Sequence, residues 1–94
     1  MARRLWLTQE EQDEAVAALC RYVATLARAD RPAPEIERVY ALEDAVERPD
    51  AEFDEGDLTH LRAAVRELVP ADDREAAIVR SLRAKLEPGA RRSA

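Results

Sequence analysis

Hydrophobic residues recur along the chain at intervals of three and four, the spacing that places side chains on one face of an α-helix. The pattern occurs in four stretches, and each stretch ends near a proline, which cannot continue a helix. The sequence therefore predicts four amphipathic helices and an all-α fold. The apolar stripes are Val16-Leu19-Val23-Leu26, Ile36-Val39-Leu42-Val46, Leu58-Leu61-Val65-Leu68 and Val79-Leu82-Leu86, and the prolines are Pro32 and Pro34, Pro49, Pro70 and Pro88.

Three of the predicted helices begin at a residue that can cap the free N–H groups of the first turn. Thr8 and Glu11 have the spacing of a capping box, in which each side chain accepts a hydrogen bond from the backbone of the other, and so do Asp72 and Glu75. We expect Asp54 to cap the third helix.

The connections between the predicted helices are short, which favours a four-helix antiparallel bundle. The stripe of the first helix recurs in the third at an offset of 42 residues, and the stripe of the second recurs in the fourth at an offset of 40. These offsets describe two similar helical hairpins, although any two amphipathic helices can be aligned in this way. We expect residues 1–88 to form a single helical domain and residues 89–94 a flexible C-terminal tail.

Two short segments that contain aromatic residues lie outside the helices. Leu5-Trp6-Leu7 and Glu52-Phe53-Asp54 each lead into a predicted cap. Either they are coil, or residues 4–7 and 51–54 pair as a short ribbon, which by itself would be only marginally stable.

The cysteine content and the lengths of the apolar runs predict a compartment. Cys20 is the only cysteine, so no disulfide can form within the chain, and a reducing cytoplasm is the expected location. No apolar run approaches the roughly 18 residues of a membrane span, and the run Leu5–Leu7 is too short for a signal peptide. We expect a cytoplasmic protein that does not enter a membrane.

Charge is unevenly distributed along this acidic chain, whose formal net charge is −5. Residues 35–57 contain ten acidic residues and only Arg38 and Arg48 as cations, whereas basic residues concentrate after residue 79. This pattern favours a partner with a basic surface, or head-to-tail association in a homodimer. The alternative is an ordinary solvated helix face combined with helix caps.

The charge also disfavours nucleic acid as a partner, because phosphate contacts need clustered cations. One alternative is that the third and fourth helices form a helix-turn-helix, with Arg74, Arg80 and Arg83 directed at DNA.

Few residues could carry catalysis. Cys20 borders an apolar stripe and is expected to be a buried packing thiol. His60, the only histidine, is expected at the solvated rim of the third helix, so neither a cysteine–histidine pair nor a zinc site is predicted. The segment Asp50–Leu61 begins like a calcium-binding EF-hand loop but lacks its sixth-position glycine and its final glutamate. The sequence therefore favours a protein that is not an enzyme and predicts no cofactor.

One enzyme alternative comes from the start of the first helix. Glu10-Glu11-Gln12-Asp13-Glu14 is similar to the EExxE motif of the all-α nucleotide pyrophosphatases of the MazG type. The resemblance implies that Glu10, Glu11 and Glu14 bind magnesium, which polarises a triphosphate. That family completes its site with ExxD on a following helix, and the only candidate here, Glu47-Arg48-Pro49-Asp50, contains a proline.

The aromatic residues provide the last candidate site. Trp6 precedes the first cap, where its ring either covers one end of the bundle or remains exposed as an interface anchor. Tyr22 and Tyr40 flank apolar stripes and are expected at the edge of the core. We therefore predict a protein-interaction module, acting as a regulator, inhibitor or adaptor. Its predicted binding residues are Trp6, Glu47, Asp50, Glu52, Asp54 and Glu55.

Overall fold

The structure is a computed structural model that describes residues 2–48 and 50–87. The predicted four helices are confirmed, and two short strands accompany them. The elements are β1 (Arg3–Arg4), α1 (Gln9–Arg28), α2 (Ala33–Val46), β2 (Glu52–Phe53), α3 (Glu55–Arg66) and α4 (Asp73–Leu86). The predicted tail, residues 89–94, lies outside the described residues.

Side-chain caps start three of the helices. Thr8 and Glu11 form the predicted capping box of α1, with the Thr8 Oγ1 accepting from the Glu11 N–H at 3.1 Å. Asp54 and Asp57 form a second capping box at α3, where only the Asp54 cap was predicted. Asp72 caps α4 by accepting from the Glu75 N–H at 2.8 Å, but the Glu75 side chain makes no return bond, so the capping box predicted for this pair is only half formed.

The turn between α1 and α2 reverses the chain through one residue with left-handed backbone geometry. Asp30 has φ 54°, a region that favours glycine. The Arg31 N–H donates to the Leu26 carbonyl at 3.1 Å and the Asp30 N–H donates to the Ala27 carbonyl at 3.2 Å. These two bonds close a Schellman motif, so Asp30 adopts a strained conformation in order to end α1.

The ribbon foreseen as an alternative is present, with shorter strands than residues 4–7 and 51–54. β1 and β2 pair antiparallel, with Arg3 opposite Phe53 and Arg4 opposite Glu52. Phe53 is only 2% exposed and joins the hydrophobic core, so the bundle supplies the stability that an isolated ribbon lacks.

The helices pack as a flattened all-α bundle centred on α1. α1 contacts each of the other three helices, and α3 also packs against α2 and α4. Within the described residues the bundle measures 38 × 34 × 20 Å. The two sequence-adjacent pairs, α1 with α2 and α3 with α4, are therefore in contact, as the predicted hairpins require.

The predicted apolar stripes form the core. Of the fifteen stripe positions, the structure buries thirteen, namely Leu19, Val23, Leu26, Val39, Leu42, Val46, Leu58, Leu61, Val65, Leu68, Val79, Leu82 and Leu86. Val16 and Ile36 are only partly buried and pack against this core. Ala15, Ala18 and Ala64 are also buried, which allows the helix backbones to approach closely.

Candidate functional site

Burial alternates along the segment that leads into α1. Arg3, Leu5 and Leu7 are partly buried, whereas Arg4 and Trp6 are exposed. This is the period of two expected of extended backbone, in which successive side chains point to opposite faces. Trp6 and Arg4 therefore lie on the outward side of the segment, and the leucines face the bundle.

The second strand of the ribbon shows the same alternation. Phe53 is buried and Ala51 is partly buried, whereas Glu52 and Asp50 are exposed. Because the strands are antiparallel, Trp6 follows β1 at the same end of the ribbon from which Asp50 leads into β2. Arg4 and Glu52, opposite each other in the ribbon, and Trp6 and Asp50, each two residues beyond them, are all exposed, and we call these four residues the ribbon face.

Trp6 is the most exposed aromatic residue described, with 70% of its surface accessible. Its ring does not cover the end of the bundle, because Leu5 and Leu7 on either side occupy the inward positions. Its backbone is nevertheless fixed: the Trp6 carbonyl accepts from the Lys85 Nζ of α4 at 2.8 Å. The indole is therefore presented to solvent from an anchored segment.

Three further predicted binding residues lie outside the ribbon face. Glu47 is exposed at the C-terminal end of α2. Asp54 accepts from the Arg38 guanidinium at 2.6 Å and caps α3. The hydrogen bond from the Asp57 N–H and the charge of Arg38 hold the pKa of Asp54 below its ordinary value. Glu55 is exposed near the start of α3.

The three carboxylates of the magnesium alternative do not share one site. Glu10 pairs with Arg74 of α4. Glu11 is buried beneath the start of α1, and Glu14 is partly buried. Within residues 2–48 and 50–87, no group of three or more histidine, cysteine or acidic side chains is arranged to hold a metal ion.

Glu11 is the only buried charged residue in the described part of the chain, at 2% exposed. Its Oε1 accepts from the Thr8 N–H at 2.8 Å and from the Lys85 Nζ at 2.6 Å, and its Oε2 accepts from the Ser81 Oγ at 2.6 Å. Burial raises the pKa of Glu11, but the hydrogen bonds from Lys85, Ser81 and Thr8 together outweigh burial and leave it below its ordinary value. The cluster joins the first turn of α1 to α4, and three hydrogen bonds already occupy its carboxylate.

The prediction that Cys20 is a buried packing thiol is wrong. Cys20 is exposed, because its neighbour Leu19 takes the inward position and the helix turns Cys20 away from the core. Its Sγ donates to a carboxylate oxygen of Glu43 on α2 at 3.2 Å. That hydrogen bond, with a smaller contribution from burial, raises the pKa of the thiol, which opposes nucleophilic chemistry.

The remaining aromatic and histidine predictions have mixed outcomes. Tyr22 is partly buried at the edge of the core, as expected, whereas Tyr40 is 57% exposed. His60 is partly buried rather than solvated, with its Nδ1 3.5 Å from the Tyr22 hydroxyl. The tyrosine and histidine rings tilt against each other with centroids 5.9 Å apart, a packing contact between α1 and α3.

Two of the three arginines of the helix-turn-helix alternative are engaged within the fold. Arg83 donates to backbone carbonyls at the end of α3. Arg74 pairs with Glu10, and Arg80 is exposed. These contacts give Arg83 and Arg74 structural roles in joining helices.

Sequence reasoning missed Ser81 and Lys85 as partners of Glu11. The only sequence signal was their four-residue spacing, which places both on one side of α4. Their contacts with Glu11, 70 and 74 positions away, depend on how α4 crosses α1, and the apolar stripes do not specify that crossing.

Comparison of the chain with protein-family models, curated proteins and solved structures found no match. In the described part of the chain, none of the helices combines the length and the apolar character needed to cross a membrane.

Proposed function

We propose that this protein is a non-enzymatic interaction module that binds another protein through the ribbon face, with Trp6 as the anchor. The observation that carries the proposal is a tryptophan that is 70% exposed on a backbone held in place from α4. Tryptophan is among the residues most enriched at the energetic centres of protein interfaces. A fixed backbone lowers the entropy lost when such a side chain docks.

The exposed area of Trp6 is large enough to dominate a small interface. An aromatic side chain buries about 150–250 Å² when fully covered. With 70% of the residue accessible, docking would remove about 100–170 Å² from water. At about 25 cal/mol per Å² this is worth about 3–4 kcal/mol before the costs of association.

The neighbours of Trp6 define the chemistry of the partner. Asp50 and Glu52 are exposed on the ribbon face, and Arg4 lies opposite Glu52 across the ribbon. The three side chains together give the ribbon face a net charge of −1. A matching surface has an apolar pocket for the ring and at least one basic side chain at its rim, where it improves the rate and specificity of association.

Arg38 reduces the acidic surface that the partner meets. Asp54 and Asp57 both lie within hydrogen-bonding distance of its guanidinium, at 2.6 and 3.0 Å. Of the acidic segment, Glu47, Asp50 and Glu52 make no ion pair with any described residue and remain available to a basic partner.

The test compares two single substitutions of exposed aromatic residues. Tagged wild-type protein, Trp6→Ala and Tyr40→Ala are used to purify partners from the source organism, and bound proteins are quantified by mass spectrometry. Tyr40 is a matched control because it is exposed on α2, away from the ribbon. Circular dichroism verifies that the variants retain their helices.

We expect a specific protein to be retained by the wild type and Tyr40→Ala and lost at least tenfold with Trp6→Ala. Light scattering tests a second copy of this chain as the partner: a homodimer through the ribbon face would dissociate in Trp6→Ala and persist in Tyr40→Ala. A monomeric wild type with no protein whose retention depends on Trp6 would refute the proposal.

A further inference from the structure

A cavity of about 470 Å³ lies where α3 and α4 meet, on a part of the molecule that the proposed function does not use. Its volume is in the range of small-molecule sites, about 300–1,000 Å³. Three of its lining residues are arginines, which is unusual for a chain with a net charge of −5. The lining residues are Arg62, Val65, Arg66, Arg83, Leu86 and Glu87.

Two of these arginines are held in place by backbone carbonyls. The Arg62 Nε donates to the Leu86 carbonyl at 2.6 Å, at the end of α4. The Arg83 Nη2 lies 3.1–3.3 Å from the carbonyls of Val65, Arg66 and Leu68, at the end of α3. Cations are favourable beside the carbonyls of a helix C-terminus. The two guanidinium groups are therefore fixed before any ligand arrives.

Each guanidinium retains donors beyond those used in these contacts. An arginine has five N–H donors. The Arg62 Nη2 is buried and has no hydrogen-bond partner among the described residues; the nearest carboxylate, that of Glu55, is 3.8 Å away. A buried donor without a partner is costly, but a ligand in the cavity can accept from this one only if the Arg62 side chain, which is 23% exposed, shifts to present it. Arg66 is exposed and makes no side-chain hydrogen bond to another described residue.

The charge of the cavity favours an anion, even with Glu55 at 3.8 Å from Arg62. Arg62, Arg66 and Arg83 supply three positive charges, and Glu87 supplies one negative charge. A phosphate monoester carries about −1.5 to −2 charges and three acceptor oxygens at neutral pH. A carboxylate has two oxygens in one plane and is satisfied by one guanidinium fork, so donors from several arginines suit phosphate better. Val65 and Leu86 add apolar surface for the group that bears the phosphate.

We infer that the cavity between α3 and α4 binds the phosphate group of a small organic phosphate, with Arg62, Arg66 and Arg83 as the phosphate ligands. The organic part of the ligand contacts Val65 and Leu86. The cavity adjoins the ribbon, because Arg3 donates to the carbonyls of Lys85 and Glu87. None of its lining residues belongs to the ribbon face, so either proposal can fail without the other.

The probe is phenyl phosphate, titrated into uniformly ¹⁵N-labelled protein at low salt and followed by NMR. We expect saturable shifts confined to amides of residues 62–66 and 83–87. Phenyl phosphate should bind more tightly than inorganic phosphate, because only the ester reaches the apolar lining. Benzoate, which presents the same ring with a carboxylate, should bind at least about tenfold more weakly than phenyl phosphate.

A matched pair of variants distinguishes a specific phosphate site from general attraction of an anion to surface cations. Arg66→Gln removes an arginine that lines the cavity, whereas Arg80→Gln removes the same charge from an exposed position of α4 that does not. We expect Arg66→Gln to weaken phenyl phosphate binding about tenfold and Arg80→Gln to change it by less than about twofold. The inference is overturned by equal losses in the two variants, by benzoate binding as tightly as phenyl phosphate, or by the absence of saturable shifts at these amides.

Discussion

The buried ion pair between Glu11 and Lys85 offers the most quantitative test of the fold. Lys85→Met keeps an unbranched apolar side chain but removes the charged ammonium group. It would leave a carboxylate that is only 2% exposed with the Ser81 and Thr8 hydrogen bonds but no counter-charge. The expected effect is a large loss of stability, because the cost of burying the Glu11 charge is then only partly offset.

The size of that loss follows from the burial of the two partners. Removing one member of a buried pair costs about 3–5 kcal/mol. The Lys85 side chain is 36% exposed, so water can partly replace it, and we expect about 2–3 kcal/mol. For a domain of this size that corresponds to a fall in Tm of about 10–20 °C. The exposed pair of Glu10 and Arg74 provides the control, and Arg74→Met should cost less than about 1 kcal/mol.

A second substitution distinguishes the cost of an unpaired charge on Glu11 from a general loss of stability. Adding Glu11→Gln to Lys85→Met removes the uncompensated charge and keeps an acceptor for the Thr8 N–H. The double variant should therefore be more stable than Lys85→Met alone, by about 1 kcal/mol. Urea denaturation at pH 7 measures the free energy of unfolding of Lys85→Met, Arg74→Met and the double variant. A double variant less stable than Lys85→Met would refute the interpretation of this cluster.

The pH dependence of the same variants gives an independent check. The pKa of Glu11 is lowered in the folded wild type, so its contribution to stability is present above the ordinary value of 4.5 and is lost as pH falls through the folded pKa. In Lys85→Met the largest lowering contact is gone and burial raises the pKa. Protonation of Glu11 then removes the unpaired buried charge. The difference in free energy of unfolding between the variant and the wild type should therefore shrink as the pH falls from 7 to about 4.

Three further predictions concern single positions. Burial, and after it the charge of Glu75, raises the pKa of Glu14. The ionised carboxylate therefore destabilises the fold, and this effect is complete once the pH exceeds the raised pKa. Glu14→Gln should raise Tm at pH 7 by a few degrees and have no such effect at pH 3. Asp30→Gly should raise Tm because φ 54° suits glycine, whereas Ala29→Gly, one residue earlier, should lower it. Because its hydrogen bond to Glu43 raises the pKa of the Cys20 thiol, Glu43→Gln should speed alkylation of Cys20 by iodoacetamide at pH 8, and an unchanged rate would contradict that contact.

The helices could be predicted because their signals are local. Apolar spacing and capping residues depend on neighbours within one or two turns, and Thr8, Asp54 and Asp72 all cap the helices that the sequence assigned to them. Local patterns do not determine which part of a helix faces a neighbour. Cys20 adjoins the buried Leu19 along the chain but lies on a different side of α1.

The ribbon face could be predicted only in part from the sequence. The alternation of Leu5, Trp6 and Leu7 gives an outward Trp6 once the segment is known to be extended. What fixes that segment is its pairing with β2 and the bond from Lys85 to the Trp6 carbonyl. Both contacts join residues that are far apart in the sequence, and their formation depends on the packing of the whole bundle.

The fluorescence of Trp6 tests the proposed interaction most directly, since it is the only tryptophan of the chain. In the free protein we predict the emission of a water-exposed indole that is readily quenched by iodide. When the partner whose retention depends on Trp6 is added, the emission should shift to shorter wavelength and iodide quenching should fall several-fold. An indole already protected in the free protein, or a complex that forms without any change in Trp6 emission, would contradict its role as the anchor.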